Sequence, residues 1–412
     1  TSTPGTSTVA MDHGMGLYSV AITPTVTARE VVIRAEATVS GQQLSATRTA
    51  LILPTVGDAW DQPEAVPGLV NTTGYEDGPE VSPDGQWLIL SSYAFVDALC
   101  CLTGCGQPVN AFSAACQTVI GPSSAPERPD MRGAERIMSP TRVRNSCPRL
   151  CLTGTNGGEV QEFPLTPIAS YGFRRQPDGS FREPFFIGVE ADGCNTPFGY
   201  SFAGAPEGTS ATAIYSHGNL GTQIGLYATP LTLGQPNILA EYTCNGTIEA
   251  TGVTWSPLSV GTEGLAEGNP NFKSGFVWWD DEYTVSPPRL LAAAYTGSLP
   301  NGTAGAAFQL PVGSAQDDLR QPFVDGNTLY FTRNFTISTA TFSGDPSLAA
   351  SWSTAVTELA TVPSDTPGDI IVLGEPSVAH LPDGGVELYF VYARRGPTGG
   401  AELDVGRVRR RR

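Results

Sequence analysis

The feature that most constrains this chain is a repeat. Six short apolar runs, Leu88-Ile89-Leu90, Leu150-Cys151-Leu152, Ala213-Ile214-Tyr215, Phe276-Val277-Trp278, Leu329-Tyr330-Phe331 and Leu388-Tyr389-Phe390, begin 62, 63, 63, 53 and 59 residues apart. Three follow an Asp-Gly pair: Asp84-Gly85, Asp325-Gly326 and Asp383-Gly384. Asp-Gly between two β-patterned runs is a hairpin signal, because the tight turn that suits strand twist puts its central residues at positive φ. A proline stands upstream of every run, at Pro79, Pro140, Pro197, Pro257, Pro322 and Pro376. Further strand candidates follow each run, among them GEVQEFPL, IGLYATPL and RLLAAAYTG, then FREPFFIG, PNILAEYT and AAFQLPVG. Four short strands per unit, repeated six times, predict an all-β chain folded as a six-bladed β-propeller over residues 55–412. A sandwich also has many short strands, but not a unit that keeps its internal order.

Composition agrees. The chain has 47 Gly and 34 Pro in 412 residues, too many for a helical protein and without the fixed period of collagen. The net charge of −17 excludes nucleic acid or an anionic membrane as main partner, since the phosphate term would be repulsive. No apolar run approaches the roughly 20 residues of a membrane span. The chain begins at Thr1, which reads as a leader already removed or as a piece of something longer.

The last unit ends at AELDVGRVR with three strands, and WDQPEAVPGL (60–69) resembles WSTAVTELA (352–360), the outer strand of the unit before it. Pairing 60–69 with 401–409 would therefore tie the ring shut. Two long loops are expected, about 99–145 and about 258–273. Residues 1–54 stand apart: TSTPGTSTVA is a Ser/Thr linker, and GLYSVAITPT, REVVIRAEATVS and QLSATRTALIL alternate as three strands resembling the end of an immunoglobulin-like domain. Three strands cannot close a sandwich, so either earlier residues are missing or they pack on something else.

Eight cysteines give an even set with loop-like spacing: Cys100, Cys101, Cys105, Cys116, Cys147 and Cys151 in the long insertion, and Cys194 with Cys244 as a separate pair. Disulfides and an oxidising compartment follow. Zinc is the rival reading, but the inner spacings are not the usual two residues and no histidine is near.

DGPEVSPDGQWLILSS, and less closely RQPFVDGNTLYFTR and GEPSVAHLPDGGVELYFVYAR, resemble the TolB-type propeller repeats of bacterial cell-envelope proteins. The resemblance implies a periplasmic, cell-surface or secreted six-bladed propeller that holds partner proteins, and it brings no catalytic residues.

Innermost propeller strands begin around one mouth of the channel, so residues just before each proline should converge there. Glu76, Asp77, Glu135, Arg136, Asn195, Asp317, Asp318, Arg320 and Glu375 fall at such places, with Asp77, Glu135, Arg136, Asp318, Arg320 and Glu375 as the binding candidates. A carboxylate ring with two arginines could bind a cation or act as acid and base on a glycan; solvated strand starts are the plainer reading. Ser82-Pro83-Asp84-Gly85 does not match the Ser-x-Asp-x-Gly box of sialidases. Trp278-Trp279-Asp280-Asp281-Glu282-Tyr283 suits sugar stacking or calcium, the one cofactor the sequence suggests, though it reads better as a buried strand ending in an exposed acidic turn. His217 and His380 have no Ser or Cys partner at motif spacing, and Met11, His13 and Met15 are a weak copper pattern. Asn71, Asn245, Asn301 and Asn334 begin glycosylation sequons. RVRRRR reads as a solvated basic terminus or a contact segment. With no catalytic motif, the expected function is an exported binding or scaffold module in an envelope or surface assembly; the alternative is a carbohydrate-active hydrolase or lyase using carboxylates at the propeller mouth.

Overall fold

A computed structural model describes residues 11–12, 18–19, 28–39, 42–71, 75–94, 149–153, 160–164, 169–189, 198–219, 223–235, 237–242, 248–249, 256–257, 267–282, 285–299, 301–395 and 401–411. The chain is an all-β propeller, and it has five blades, not six. Blade one contains Tyr75–Val81, Trp87–Ala94, Ala169–Arg175 and Phe181–Val189. Blade two contains Phe198–Phe202, Ser210–Asn219, Gln223–Thr232 and the short Ser256–Pro257. Blade three contains Gly268–Lys273, Phe276–Asp280, Leu290–Thr296 and Phe308–Gln309. Blade four contains Leu319–Asp325, Thr328–Arg333, Thr336–Thr341 and Val356–Ala360. Blade five contains Ile370–His380, Val386–Arg395, Ala401–Arg409 and, from the other end of the propeller, Glu64–Ala65.

The apolar triplet recurs because the second strand of each blade is buried on both faces. Strand side chains alternate, so the outer two residues of the triplet face the preceding blade and the middle one faces the next. Leu388 and Phe390 pack into the core between blades four and five, and Tyr389 into the core between five and one. Leu88 and Leu90 share that second core, while Ile89 enters the one between blades one and two. Ala213-Ile214-Tyr215 and Leu329-Tyr330-Phe331 repeat the pattern; in blade three it is shifted by one from the Phe276-Val277-Trp278 run, Val277 and Trp279 facing blade two and Trp278 facing blade four. Five interfaces thus carry five cores.

The expected second unit fails for a simple reason. Blade one is interrupted between its second and third strands by residues 95–168, and Leu150–Leu152 lies there, in Arg149–Thr153, which among the described residues pairs with Val160–Pro164 alone. The length of this insertion mimics one repeat. Pro140 therefore marks no blade, and Pro257 lies in the outer strand of blade two; the innermost strand of blade three carries Pro270 instead. That strand also occupies part of the stretch expected to be a loop at 258–273. In the Asp-Gly turns only the glycines, at φ 71°, 57° and 78°, take positive φ; the aspartates do not.

Closure follows the sequence expectation, in blade five instead of a sixth. Gly406 and Arg407 pair with Ala65 and Glu64. The Val66 N–H donates to the Val405 carbonyl at 2.9 Å, and the Asn71 side chain imitates a strand edge, accepting from Val405 N at 2.7 Å and donating to its carbonyl at 2.9 Å. The basic segment enters this seam through Arg407, whereas Arg410 and Arg411 are exposed. Arg407, 6% exposed, pairs with Glu64 at 2.8 Å, Arg409 with Asp383, and Arg410 lies 5.2 Å from the Trp60 ring centre. Arg29–Val39 and Gln42–Ile52 form a hairpin that continues the sheet of blade five beyond Glu64, with Leu51 fully buried against it. Of the first expected strand, Tyr18–Ser19 pairs with Met11–Asp12. All eight cysteine side chains, and the pairings expected of them, lie outside the described residues, as do Asn195 and the side chains of His13, Met15 and His217.

Trp60 joins the seam to the core: it is 1% exposed, and its indole N–H donates to Glu358 Oε2 at 2.8 Å. Trp60→Ala is expected to cost roughly 3–5 kcal/mol in denaturant unfolding. A loss below about 1 kcal/mol would show that the ring is not held there.

Candidate functional site at the propeller mouth

Each innermost strand carries one residue with left-handed backbone at the same level of the channel: Gly78 (φ 61°), Gly199 (58°), Asn269 (46°), Gln321 (53°) and Glu375 (54°). In blades two to five an extra residue bulges the strand at this point. Four of the five precede a proline, where the ring normally restricts the backbone to extended conformations, so Asn269, Gln321 and Glu375 are strained twice over. At blades one and two crowding requires glycine: a Cβ on Gly78 would lie 2.5 Å from the Ser91 side chain, and one on Gly199 2.9 Å from Asn269 Cα.

Two residues further along each strand, a buried side chain faces the next blade. Ser377 Oγ accepts the Val81 N–H at 2.9 Å, Glu80 Oε1 accepts from Phe202 N at 3.1 Å and Ser201 Oγ at 3.0 Å, and Asn271 Oδ1 accepts from Val324 N at 3.0 Å. Asn271 Nδ2 donates back to Ser201 Oγ at 2.9 Å. Burial pushes the Glu80 carboxyl up to about 7. Phe323 takes this place in blade four and makes no such bond.

The residues above the belt close the channel to about 40 Å³, room for a few waters and not for a sugar ring. Over that plug lie two carboxyl pairs. Glu375 accepts from the Gly78 N–H and, at 3.1 Å, from Gln321 Nε2, and it shares a hydrogen bond with Asp77. Asp280, fully buried, accepts from the Gln321 N–H at 2.7 Å and from Asn269 Nδ2 at 2.9 Å, and Glu282 lies beside it. Burial first, and the neighbouring carboxylate second, hold both Glu375 and Asp280 protonated well above the usual carboxylate range. Arg320 ties the rim together, meeting Glu282 at 2.9 Å and Asp318 at 2.5 Å.

Of the residues expected at the mouth, Asp77, Asp318, Arg320 and Glu375 fall within this one chain of contacts. Glu135 and Arg136 lie outside the described residues. Asp317 turns away to Ser314 N, Arg333 and Asn334, which outweigh its burial and hold it at about 2. The acidic turn after Trp279 is not exposed. Asp280 and Asp281 are both fully buried, Asp281 bound to Arg289 at 2.6 and 2.8 Å, so the three acids do not form one calcium cluster. Among the described residues no group of three or more His, Cys, Asp or Glu is placed to hold a metal ion. Asn269 and Gln321 do not figure among the residues expected from sequence, and Asp280 and Glu282 were expected in an exposed acidic turn; the Asn-Pro and Gln-Pro pairs, parallel to Gly78-Pro79 and Glu375-Pro376, are the signal that marks this level in four blades. His380 meets Asp325 at 2.9 Å on the other face.

No family model and no curated protein matches the sequence. Among solved structures the chain is similar to a xylan β-1,4-xylosidase from Bacillus halodurans, at TM-score 0.39 and 9% identity over 82% of this chain and 54% of that one. It is also similar to a mutant GH43 protein from Bacillus licheniformis, at 0.43 and 10% over 82% and 53%. An endo-arabinase from Bacteroides thetaiotaomicron matches at 0.34 and 12%, over 63% and 93%. The chain spans about half the length of the first two. No helix among the described residues is long and apolar enough to cross a membrane.

A carboxyl neutral in the folded state binds its proton more tightly there than in the unfolded chain. Stability from Glu375 is therefore complete below its ordinary value of 4.5 and is lost as pH rises above it. Glu375→Gln, which cannot ionise, should flatten the fall in urea midpoint as pH rises above the ordinary glutamate value of 4.5. An unchanged slope would mean that Glu375 is charged in the native protein.

Proposed function

We propose that the propeller mouth binds a glycan and cleaves a glycosidic bond, as a carbohydrate-active hydrolase. The observation that carries this reading is the pair of carboxyl pairs hydrogen-bonded to opposite ends of Gln321, over a channel plugged below. Glu282 is near enough to Glu375 for its charge to help raise the Glu375 carboxyl, the proximity that two carboxyls acting on one bond require. Glu375, neutral and half-buried, donates its proton to the glycosidic oxygen. Glu282, which meets Arg320 at 2.9 Å, takes a proton from the attacking water. Asp77 keeps the Glu375 proton in place, and Asp280, which no substrate can touch, positions Gln321. Holding a partner protein, the function that the TolB-type resemblance implies, gives no reason for two acids to share protons at the mouth. On the glycan reading the chain works outside the cytoplasm, where its expected disulfides would persist.

The test is hydrolysis of aryl pentosides and hexosides and of soluble polysaccharides. Glu375→Gln should lower kcat about 10²–10⁴-fold with the fold intact, less so on substrates with good leaving groups. No turnover by the wild type on any substrate, or turnover that survives Glu375→Gln and Asp77→Asn together, would sink the proposal.

A further inference from the structure

Blade four presents an exposed aromatic that the belt, the plug and the acid pairs do not use. Phe335 is 45% exposed, and with Asn334 it forms the two-residue turn between Thr328–Arg333 and Thr336–Thr341. Asn334 and Phe335 both have positive φ, 51° and 60°. Asn suits the first place of such a turn and Gly the second; a phenylalanine there is strained by about 1–3 kcal/mol and, half in water, recovers little by burial. The turn is pinned from both sides. Asn334 Oδ1 accepts from Asp318 N at 2.9 Å, and Asn334 Nδ2 donates to Asp317 at 2.8 Å. The Phe335 carbonyl accepts from Leu373 N of blade five at 3.0 Å. This occupies the Asn334 amide and leaves the sequon without an acceptor.

The turn lies on the mouth face, since Arg320 pairs with Thr332 one step below it, and the Arg320 guanidinium lies 5.7 Å from the Phe335 ring centre. On its far side the ring walls a cavity of about 450 Å³ between blades four and five, within the roughly 300–1,000 Å³ of small-molecule sites. Phe335, Pro363 and Ile371 give it an apolar wall; Thr361, Asp365 and Arg395 give it polar ones. Arg395 meets Asp365 at 2.9 Å, and the Asp365 side chain is fully exposed. An apolar ring face opposite hydrogen-bonding groups matches the two sides of a sugar ring.

We infer that this cavity is a subsite for one sugar unit of a chain whose neighbouring units lie across the mouth, with Phe335 as the stacking platform between them. The inference rests on the glycan reading above. It is tested by calorimetry with xylohexaose, arabinohexaose and cellohexaose against the matching disaccharides, in the Glu375→Gln background so that nothing is cleaved. One hexaose should bind at least about tenfold tighter than its disaccharide. Adding Phe335→Gly should erase that preference and leave the disaccharide Kd unchanged, while the melting temperature stays or rises because glycine relieves the turn. Phe335→Tyr should keep the preference. A length preference that survives Phe335→Gly, or a disaccharide that weakens equally, overturns the subsite and leaves the mouth reading standing. If neither length of any of the sugars binds, both fall.

Discussion

Every blade of this protein is a sheet with two apolar faces, and that single constraint organises the rest. A sheet buried on both sides must have a neighbour on each, so a row of such sheets is stable only when its ends meet. The seam therefore draws on both ends of the propeller: Glu64–Ala65 completes blade five, Trp60 fills its core, and Arg407 pairs with Glu64 across the junction. A buried ion pair stabilises the same junction, Arg175 with Glu387 at 2.7 Å, with the Tyr389 hydroxyl donating to Glu387 at 2.6 Å. An isolated charge there would be costly; paired and hydrogen-bonded, it fixes the register of blade one against blade five.

Two-sided burial explains how much of the fold could be read from the sequence. The triplets at 88, 213, 276, 329 and 388 mark the five blades because each must satisfy two cores at once, and closure was legible because a three-strand last unit needs a fourth. The blade count was not legible. Leu150-Cys151-Leu152 has the same apolar character and sits at the same interval, yet it belongs to a hairpin inside an insertion; spacing reports distance along the chain and not which edge a strand pairs with. The mouth was partly legible. Asp77, Asp318, Arg320 and Glu375 were found through Pro79, Pro322 and Pro376, but Asn269 was hidden because Pro257, thirteen residues before Pro270, was taken as the marker of blade three. Asp280 escaped because an acid after two tryptophans looks like a turn, and only the tertiary structure shows that Gln321 and Asn269 cover it.

The strained backbone and the perturbed carboxyls have a common origin. The left-handed residue of each innermost strand, bulged in blades two to five, helps narrow the channel to room for a few waters. Carboxyls buried around that constriction lose most of their hydration, so protonation is the cheaper outcome for Glu375 and Asp280 even with Arg320 close by. In blades three to five the left-handed residue is Asn, Gln or Glu where glycine would be unstrained. Gln321 and Glu375 bind each other across blades four and five, and Asn269 holds Asp280, which in turn accepts the Gln321 N–H; these bonds give a reason for the strain.

The belt below the plug shows where this arrangement departs from symmetry. Ser377, Glu80 and Asn271 each accept an N–H from the following blade, but Phe323 cannot offer one to blade five. The interface between blades four and five is held higher up instead, where Glu375 N donates to Gln321 Oε1 at 3.0 Å and Thr332 Oγ1 at 3.1 Å, and Leu373 N donates to the Phe335 carbonyl. Its hydrogen bonds have moved from the buried belt to the mouth, onto the residues that present the acid and the exposed ring. A loss of packing order at that interface would therefore disturb Glu375 and Phe335 together, whereas the same disturbance between blades one and two would be absorbed by Glu80 and Ser201 below the plug.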